Sequence, residues 1–173
     1  MKKVWFIAIL LSCTLLSAQE PSALLSRVLE ANKPASLQAR FTQTRHSPLL
    51  EENLKAEGLV YMQAPDKIRW ECTSPVKKVS ILGDPSAARR FRLPTEKDFS
   101  VSALEGEGEL ALVLTPLRRD LKQMMTQAIV KADPATYRVR SVLIRQADGG
   151  WMLVEFRDVK VDIPLESSLF EAQ

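Results

Sequence analysis

Few residues of this chain have the side chains that catalysis or metal binding requires. The 173 residues include one histidine, His46, and two cysteines, Cys13 and Cys72. A serine or cysteine hydrolase needs a nucleophile, a base and usually a group that orients the base. A zinc site needs Cys or His ligands paired at short spacing, and a phosphate loop needs clustered glycines. The sequence therefore predicts a protein that is not an enzyme and that uses neither a metal nor a cofactor.

Two charged clusters could do other chemistry. Glutamates alternate with glycines over residues 105–109, a pattern that suits paired carboxylates, calcium ligands or the solvated tip of a hairpin. Arg89, Arg90 and Arg92 could meet a phosphate headgroup or form a solvated basic turn. We favour the solvated tip for the first cluster and the solvated basic turn for the second.

The N-terminus has the three parts of a secretory signal peptide. Met1-Lys2-Lys3 is basic, residues 4–16 are uncharged and mostly apolar, and Ser17-Ala18 supplies small residues. The apolar stretch is shorter than a membrane-spanning helix requires. We predict a signal peptide over 1–18, with a mature domain over 19–173. An alternative stays open, in which Leu10-Leu11-Ser12-Cys13 is a lipoprotein signal and Cys13 becomes lipidated.

Composition and charge exclude several classes of protein. With 46% hydrophobic residues the chain has enough apolar side chains for a packed core. From residue 19 onward it has 22 basic and 21 acidic residues, so nothing points to a nucleic-acid partner. Cys72 is then the single cysteine, and its alternation with Ile68 and Trp70 predicts a small buried side chain on a strand.

The elements that must position these residues are mostly strands. Helical spacing of apolar residues predicts one clear helix over 20–33, which Pro34 ends. Period-two alternation predicts strands near 37–42, 59–62, 68–73, 110–114, 137–140 and 152–157. Asp148-Gly149-Gly150 predicts a hairpin. Residues 84–90 suggest a helical turn, and residues 117–125 fit either a helix or a loop that enters a strand. The pattern predicts one antiparallel barrel or sandwich domain.

The order of these segments resembles the outer-membrane lipoprotein carrier protein family, called LolA. The resemblance covers nearly the whole mature chain and rests on these segments: Phe41-Thr42-Gln43, Gly58-Leu59-Val60-Tyr61-Met62, residues 64–71 from Ala64-Pro65-Asp66 to Glu71, Leu112-Val113-Leu114-Thr115-Pro116, Gly149-Gly150 and Ile163-Pro164 before Phe170. It implies a mainly β fold, namely an incomplete, strongly curved antiparallel β-barrel with an N-terminal helix and a short helical lid.

The resemblance also implies a function. Members of the family carry acylated lipoproteins through the periplasm from an inner-membrane release complex to an outer-membrane acceptor, and they have no catalytic residues. A monomeric periplasmic carrier is therefore the leading interpretation. The alternatives are a LolA-like carrier of another acylated or glycolipid product, and a non-enzymatic envelope module that binds or regulates another protein.

The fold implied by the resemblance places an apolar cavity inside the curved sheet. The residues predicted to line it are Phe41, Val60, Met62, Ile68, Trp70, Val79, Ile81, Leu112 and Leu114. Arg89 and Arg90 are predicted to lie at its rim, on the lid. Alternation alone does not separate a hollow barrel from a filled one, and without the resemblance it favours an ordinary packed core. The chain also departs from the family in two places, because residues 83–99 are shorter than the usual lid region and Ala64 replaces an arginine.

Overall fold

The structure, a computed structural model, describes residues 20–82, 97–106 and 108–171. The predicted signal peptide at 1–18, with Cys13, lies outside these residues. So do Arg89 and Arg90 of the predicted lid. The described part contains two α-helices, nine strands and one short 3-10 helix.

The elements follow one another in a simple order. Helix α1 spans Pro21–Ala31, α2 spans Arg119–Met124 and the 3-10 helix spans Ser167–Phe170. The strands are β1 Ser36–His46, β2 Leu54–Gln63, β3 Lys67–Ser74, β4 Lys78–Leu82, β5 Phe99–Gly106, β6 Glu109–Pro116, β7 Met125–Ala132, β8 Val139–Gln146 and β9 Trp151–Val161.

Helix α1 confirms the helix predicted near the start of the mature chain. Pro21 occupies its first turn, where a missing backbone N–H costs nothing. Leu24, Leu25 and Val28 follow at helical spacing and are all buried. The helix ends at Ala31, and Asn32 is its C-cap, two residues before Pro34. The apolar face of this amphipathic helix therefore packs onto the sheet.

All nine strands form one antiparallel sheet in the order β4-β3-β2-β1-β9-β8-β7-β6-β5. Two meanders, β1 to β4 and β5 to β9, meet where β1 pairs with β9. In the described part of the chain, β4 and β5 are the two edges, so the sheet is open and not a closed barrel. The prediction of a mainly β, incomplete antiparallel barrel is confirmed.

The sheet curls toward the face on which α1 lies, which we call the inner face. Trp70 on β3 and Phe156 on β9 are separated by two intervening strands, so a flat sheet would put about 14 Å between their strands. Their ring centroids are 6.4 Å apart. Side-chain length accounts for part of this approach, and curvature of the sheet accounts for the rest.

Three local predictions have clear outcomes. The hairpin at Asp148-Gly149-Gly150 joins β8 to β9 and is confirmed, with Gly149 at a φ of 88° that favours glycine. The uncertain segment 117–125 is the short helix α2, which leads directly into β7. The strand predicted from Tyr137 is wrong at its start. Tyr137 has a φ of 57° in a turn, and β8 begins at Val139.

Candidate functional site

One half of the inner face is a packed core beneath α1. Side chains of α1 form one buried cluster with residues of β6 and β7, and residues of β5 and β8 pack against this cluster. We call this the covered half. Its buried residues are Leu24, Leu25, Val28, Leu110, Leu112, Leu114, Ala128 and Ala132. Leu112 is 0% exposed. The structure therefore places two predicted lining residues, Leu112 and Leu114, in an ordinary core.

Polar contacts also fix α1 in place. The Asn32 side-chain amide donates to the backbone oxygens of Val28 and Tyr137, and its oxygen accepts from the backbone N–H of Val139. The Tyr137 hydroxyl accepts a hydrogen bond from Arg27. The end of α1 is thus tied to the turn between β7 and β8, which keeps the helix over the covered half.

The other half of the inner face is formed by β1, β2, β3, β4 and β9, and we call it the open half. Strand register aligns Val60 with Trp70 and Met62 with Ile68 on this face. Phe41 and Val60 are buried, at 2% and 3% exposure. Met62, Ile68 and Trp70 are only half-buried. The structure therefore brings five of the predicted lining residues together and leaves three of them partly accessible.

An aromatic cluster forms the floor of the open half. The Phe41 and Trp70 rings lie 4.3 Å apart at an interplanar angle of 38°. Phe156 approaches Trp70 edge-on, at 81°. Phe156 belongs to a predicted strand but not to the predicted lining residues. Its alternation with Val154 and Met152 was the available signal.

Gly58 allows β2 and β3 to approach closely under this cluster. It pairs with Phe41 on one side and with Cys72 on the other. A Cβ atom at Gly58 would lie 1.9 Å from the backbone oxygen of Glu71. Because that contact is with backbone, a larger residue would displace β3 and with it Trp70.

Val79 and Ile81 do not join the predicted lining residues. Ile81 pairs with Arg69 and Val79 pairs with Glu71, so both lie on the outer face of the sheet. Ser80 is the residue that pairs with Trp70. Side chains alternate between the two faces of a strand, and the turn between β3 and β4 sets which set of β4 residues faces inward.

The outer face of β3 is covered by the C-terminal segment. Arg69 is 7% exposed. Its Nε donates to Glu71 Oε2 at 3.1 Å, and its Nη1 donates to the backbone oxygen of Leu169 at 3.0 Å. The Lys67 ammonium lies 5.8 Å from the centre of the Phe170 ring. This segment holds β3 from behind and so supports the position of Trp70 on the inner face.

The histidine and the cysteine of the described chain contact neighbouring side chains and backbone. His46 stacks on Trp151, and its Nδ1 lies 3.0 Å from Asn53 Oδ1. Cys72, predicted to be buried, is half-buried, with its thiol 3.1 Å from the backbone oxygen of Ser74. Within the described ranges, no three His, Cys, Asp or Glu side chains form a group that could hold a metal ion.

The resolved pKa shifts arise from exposed ion pairs and turn contacts. A hydrogen bond and the charge of Lys131 lower the pKa of Glu109. Hydrogen bonds to Asp120 and Asp98 raise the pKa of Arg118. These groups lie on strand ends and loops away from the aromatic cluster. Phe41, Val60, Met62, Ile68 and Trp70 form the apolar part of the open half, whose inner face also includes Ser80 of β4.

Comparison with known proteins supports the family resemblance over part of the chain. The family model described as outer membrane lipoprotein carrier protein LolA matches residues 32–86. This range includes β1 to β4, and with them Phe41, Trp70 and Gly58 of the open half. No curated protein matches the chain. None of the helices in the described ranges has the length and hydrophobicity needed to cross a bilayer.

Solved structures share the fold. MucB in the Pseudomonas aeruginosa MucA/MucB complex has 13% identity and a TM-score of 0.56, covering 90% of this chain and 62% of the MucB chain. MucB alone gives a TM-score of 0.57, at 13% identity, with coverage of 88% and 62%. A LolA superfamily protein from Nitrosomonas europaea has 12% identity, a TM-score of 0.49 and coverage of 90% and 99%. The MucB likeness shows a shared fold, and the chain spans about three-fifths of MucB.

Proposed function

We propose that this LolA-like protein is a periplasmic carrier that shields the acyl chains of lipoproteins on their way from the inner to the outer membrane. The main support is the open half. Met62, Ile68 and Trp70 present a partly accessible apolar surface above buried Phe41 and Val60. The residues matched by the LolA family model contain all five of these positions.

The physical chemistry of the surface suits reversible binding. Burying one methylene group contributes about 0.8 kcal/mol, so fully burying a chain of about fifteen methylenes would contribute on the order of 12 kcal/mol. Several fully buried chains would exceed the practical limit of non-covalent affinity. A carrier must also release its cargo. An open, half-buried surface covers only part of each chain and keeps release possible.

The proposal includes a route and two partners. Cleavage after Ala18 delivers a monomeric protein to the periplasm, where an inner-membrane release complex supplies acylated lipoprotein. An outer-membrane acceptor then takes the cargo. Arg89 and Arg90 would pair with polar or anionic groups of the cargo at the rim of the site, where long basic side chains keep their charges in water.

Two isoleucines on opposite faces provide a matched test of the site. Ile68 and Ile81 are both half-buried and lie on neighbouring strands, but only Ile68 faces the aromatic cluster. We expect Ile68→Glu to weaken binding of a diacylated lipopeptide by about tenfold or more, because an unpaired carboxylate is costly in an apolar site. Ile81→Glu should bind like wild type. Titration followed by tryptophan fluorescence measures both, with Trp151→Phe present in every protein so that Trp70 is the reporter.

The test also has outcomes against the proposal. Equal binding by a folded Ile68→Glu variant would exclude the open half as the acyl site. If this variant unfolds, Ile68→Ser keeps the comparison with Ile81→Ser at lower structural cost. Circular dichroism of each variant establishes that loss of binding is not loss of folding.

The molecules that accompany the protein from its host distinguish the alternatives. Native mass spectrometry should find bound lipoprotein. Another acylated compound or a glycolipid would instead favour a carrier of that product. Recovery with a protein partner and no lipid would favour an envelope module that binds or regulates another protein. The last alternative is worth testing because the fold is shared with MucB, which was crystallised with MucA.

A further inference from the structure

Exposed apolar side chains of the described residues concentrate at one end of the sheet. Eight large apolar residues are exposed, and six of them lie in loops or at element ends on this side: Leu49, Leu50, Leu54, Val76, Leu117 and Met124. The other two, Val79 and Leu104, lie within β4 and β5 on the outer face. Isolated exposed apolar residues are ordinary, but this grouping is not.

The antiparallel topology places these loops side by side. β1, β3, β6 and β8 finish at this end, and β2, β4, β5, β7 and β9 begin there. We call it the loop end and define it by residues 45–55, 75–78, 97–99, 117–124 and 145–151. The exposed residues come from three separate connections, which precede β2, β4 and β7. They therefore form several contact points and not one groove.

The exposure of these side chains is large. Leu49, in the connection from β1 to β2, is 92% exposed, and Val76 is 70% exposed. Met124, at the end of α2, is 62% exposed. Trp151 lies at the same end, half-buried against His46. Leucine and tryptophan are the side chains that enter the boundary between lipid headgroups and acyl chains.

The loop end also carries an excess of basic residues over the rest of the described chain. The loop end contains nine basic and five acidic residues, whereas the rest of the described chain contains ten basic and thirteen acidic residues. Lys77, Lys78, Arg119 and Lys122 belong to the same connections as Val76, Leu117 and Met124. Basic residues beside exposed apolar residues match the chemistry of an anionic lipid surface.

We propose that the loop end docks on the surface of a bilayer containing anionic phospholipids. The apolar side chains enter the headgroup region, and the lysines and arginines pair with lipid phosphates. A bilayer fits this surface better than one protein partner does, because the contact points sit on three loops and carry excess positive charge. Docking is distinct from acyl-chain binding, since Leu49 and Leu50 lie outside the aromatic cluster of the open half.

Vesicle flotation tests the proposal directly. The protein recovered from its host is mixed with phosphatidylethanolamine vesicles that contain or lack phosphatidylglycerol. We expect binding to the anionic vesicles that falls as salt concentration rises. Replacing Leu49 and Leu50 together by aspartate should lower the partition coefficient by about tenfold or more. Leu104→Asp, at a position 65% exposed on the outer face, is the matched control and should bind like wild type.

A second pair of variants isolates the charge. Lys77→Gln with Lys78→Gln should weaken binding to anionic vesicles by about tenfold and leave the salt response shallower. Arg157→Gln with Lys160→Gln removes the same charge on β9, outside the loop end, and should have little effect. All four positions are exposed, so the variants should fold.

Three results would overturn the proposal. One is no preference for anionic vesicles by the wild-type protein. Another is equal loss of binding in Leu104→Asp and in the Leu49 and Leu50 variant. The third is loss of cargo delivery in cells by that variant with unchanged vesicle binding, which would assign the loop end to a protein partner. Lipopeptide titration in solution should be unaffected, so failure here is separable from failure of the proposed acyl site.

Discussion

The two halves of the inner face use the same sheet in different ways. In the covered half, α1 excludes water from β6 and β7, and Leu112 is 0% exposed. In the open half, Trp70 and Ile68 lie on β3, which is paired on both sides, but they remain half-buried. Alternation of apolar residues is the same in both. The position of α1 over β5 and β6 decides which half is core and which half is available to a ligand.

Truncating one residue in each half tests whether the covered half is packed more tightly than the open half. We expect Leu112→Ala to lower the free energy of unfolding by about 3 kcal/mol, because it creates a cavity that the helix and sheet cannot fill. Ile68→Ala should cost about 1 kcal/mol or less, since its side chain already contacts water. Urea denaturation measures both. Similar losses would mean that the open half is packed as tightly as the covered half.

Alanine substitutions at two glycines test how closely the backbone is packed in two parts of the sheet. Gly58→Ala should destabilise the protein by about 2 kcal/mol, because the new Cβ would collide with the Glu71 backbone oxygen. It should also weaken lipopeptide binding by shifting Trp70. Gly108 has open space around it and a φ of 78°, so Gly108→Ala, in the turn between β5 and β6, should cost about 1 kcal/mol from backbone strain alone. Unaltered lipopeptide binding by Gly58→Ala would separate Trp70 from the site.

The smallest expected effect concerns acid stability of the covered half. Hydrogen bonds from the backbone of Thr136 and Ala135, together with Arg140, lower the pKa of Asp133 from its ordinary value of 3.8. A carboxylate with a lowered pKa stabilises the fold above its unfolded pKa, and this contribution is lost as pH falls through the folded pKa. Asp133→Asn should therefore be less stable than wild type at pH 7, with the difference disappearing in acid below pH 3.8.

Urea midpoints across this pH range measure the effect, and a second variant locates it. Asp66→Asn changes the same charge in the turn between β2 and β3, on the open half. The pH-dependent difference is expected for Asp133→Asn, because the backbone N–H groups of Thr136 and Ala135 and the Arg140 guanidinium that favour the ionised carboxylate belong to the Asp133 turn. Identical pH profiles for both variants would show that general charge, and not the anchoring turn, sets acid stability.

Local chemistry made much of the fold predictable. Leu24, Leu25 and Val28 give the helical period, and Gly149 gives the hairpin between β8 and β9, because each signal depends on neighbouring residues. The common inner face of Val60, Met62, Ile68 and Trp70 also follows from alternation within two adjacent strands. These features require no knowledge of distant parts of the chain.

Other features depend on contacts that alternation does not encode. The inward residue of β4 is Ser80, and the sequence alone does not reveal how the turn before it sets the register. Arg69 is buried beneath the C-terminal segment, where it donates to the Leu169 backbone oxygen. That partner lies 100 residues later in the chain, so local sequence does not reveal it. Leu112 lies in the core because α1, which precedes the first meander, packs on the second meander, β5 to β9. The sequence therefore predicts a face, and tertiary packing divides that face into core and site.

The pairing of β1 with β9 has a consequence for how the chain reaches its native state. Each meander consists of hairpins between consecutive strands, so most of its contacts form over short chain separations and at low loop-closure cost. The β1–β9 seam joins residues such as Phe41 and Phe156, more than a hundred positions apart. Helix α1 precedes β1 in the chain but packs on β5 and β6, so its packing also joins the N-terminal part of the chain to the second meander. Slow assembly should centre on this seam, and a nascent chain that lacks β9 would expose the seam edge of β1 until synthesis is complete.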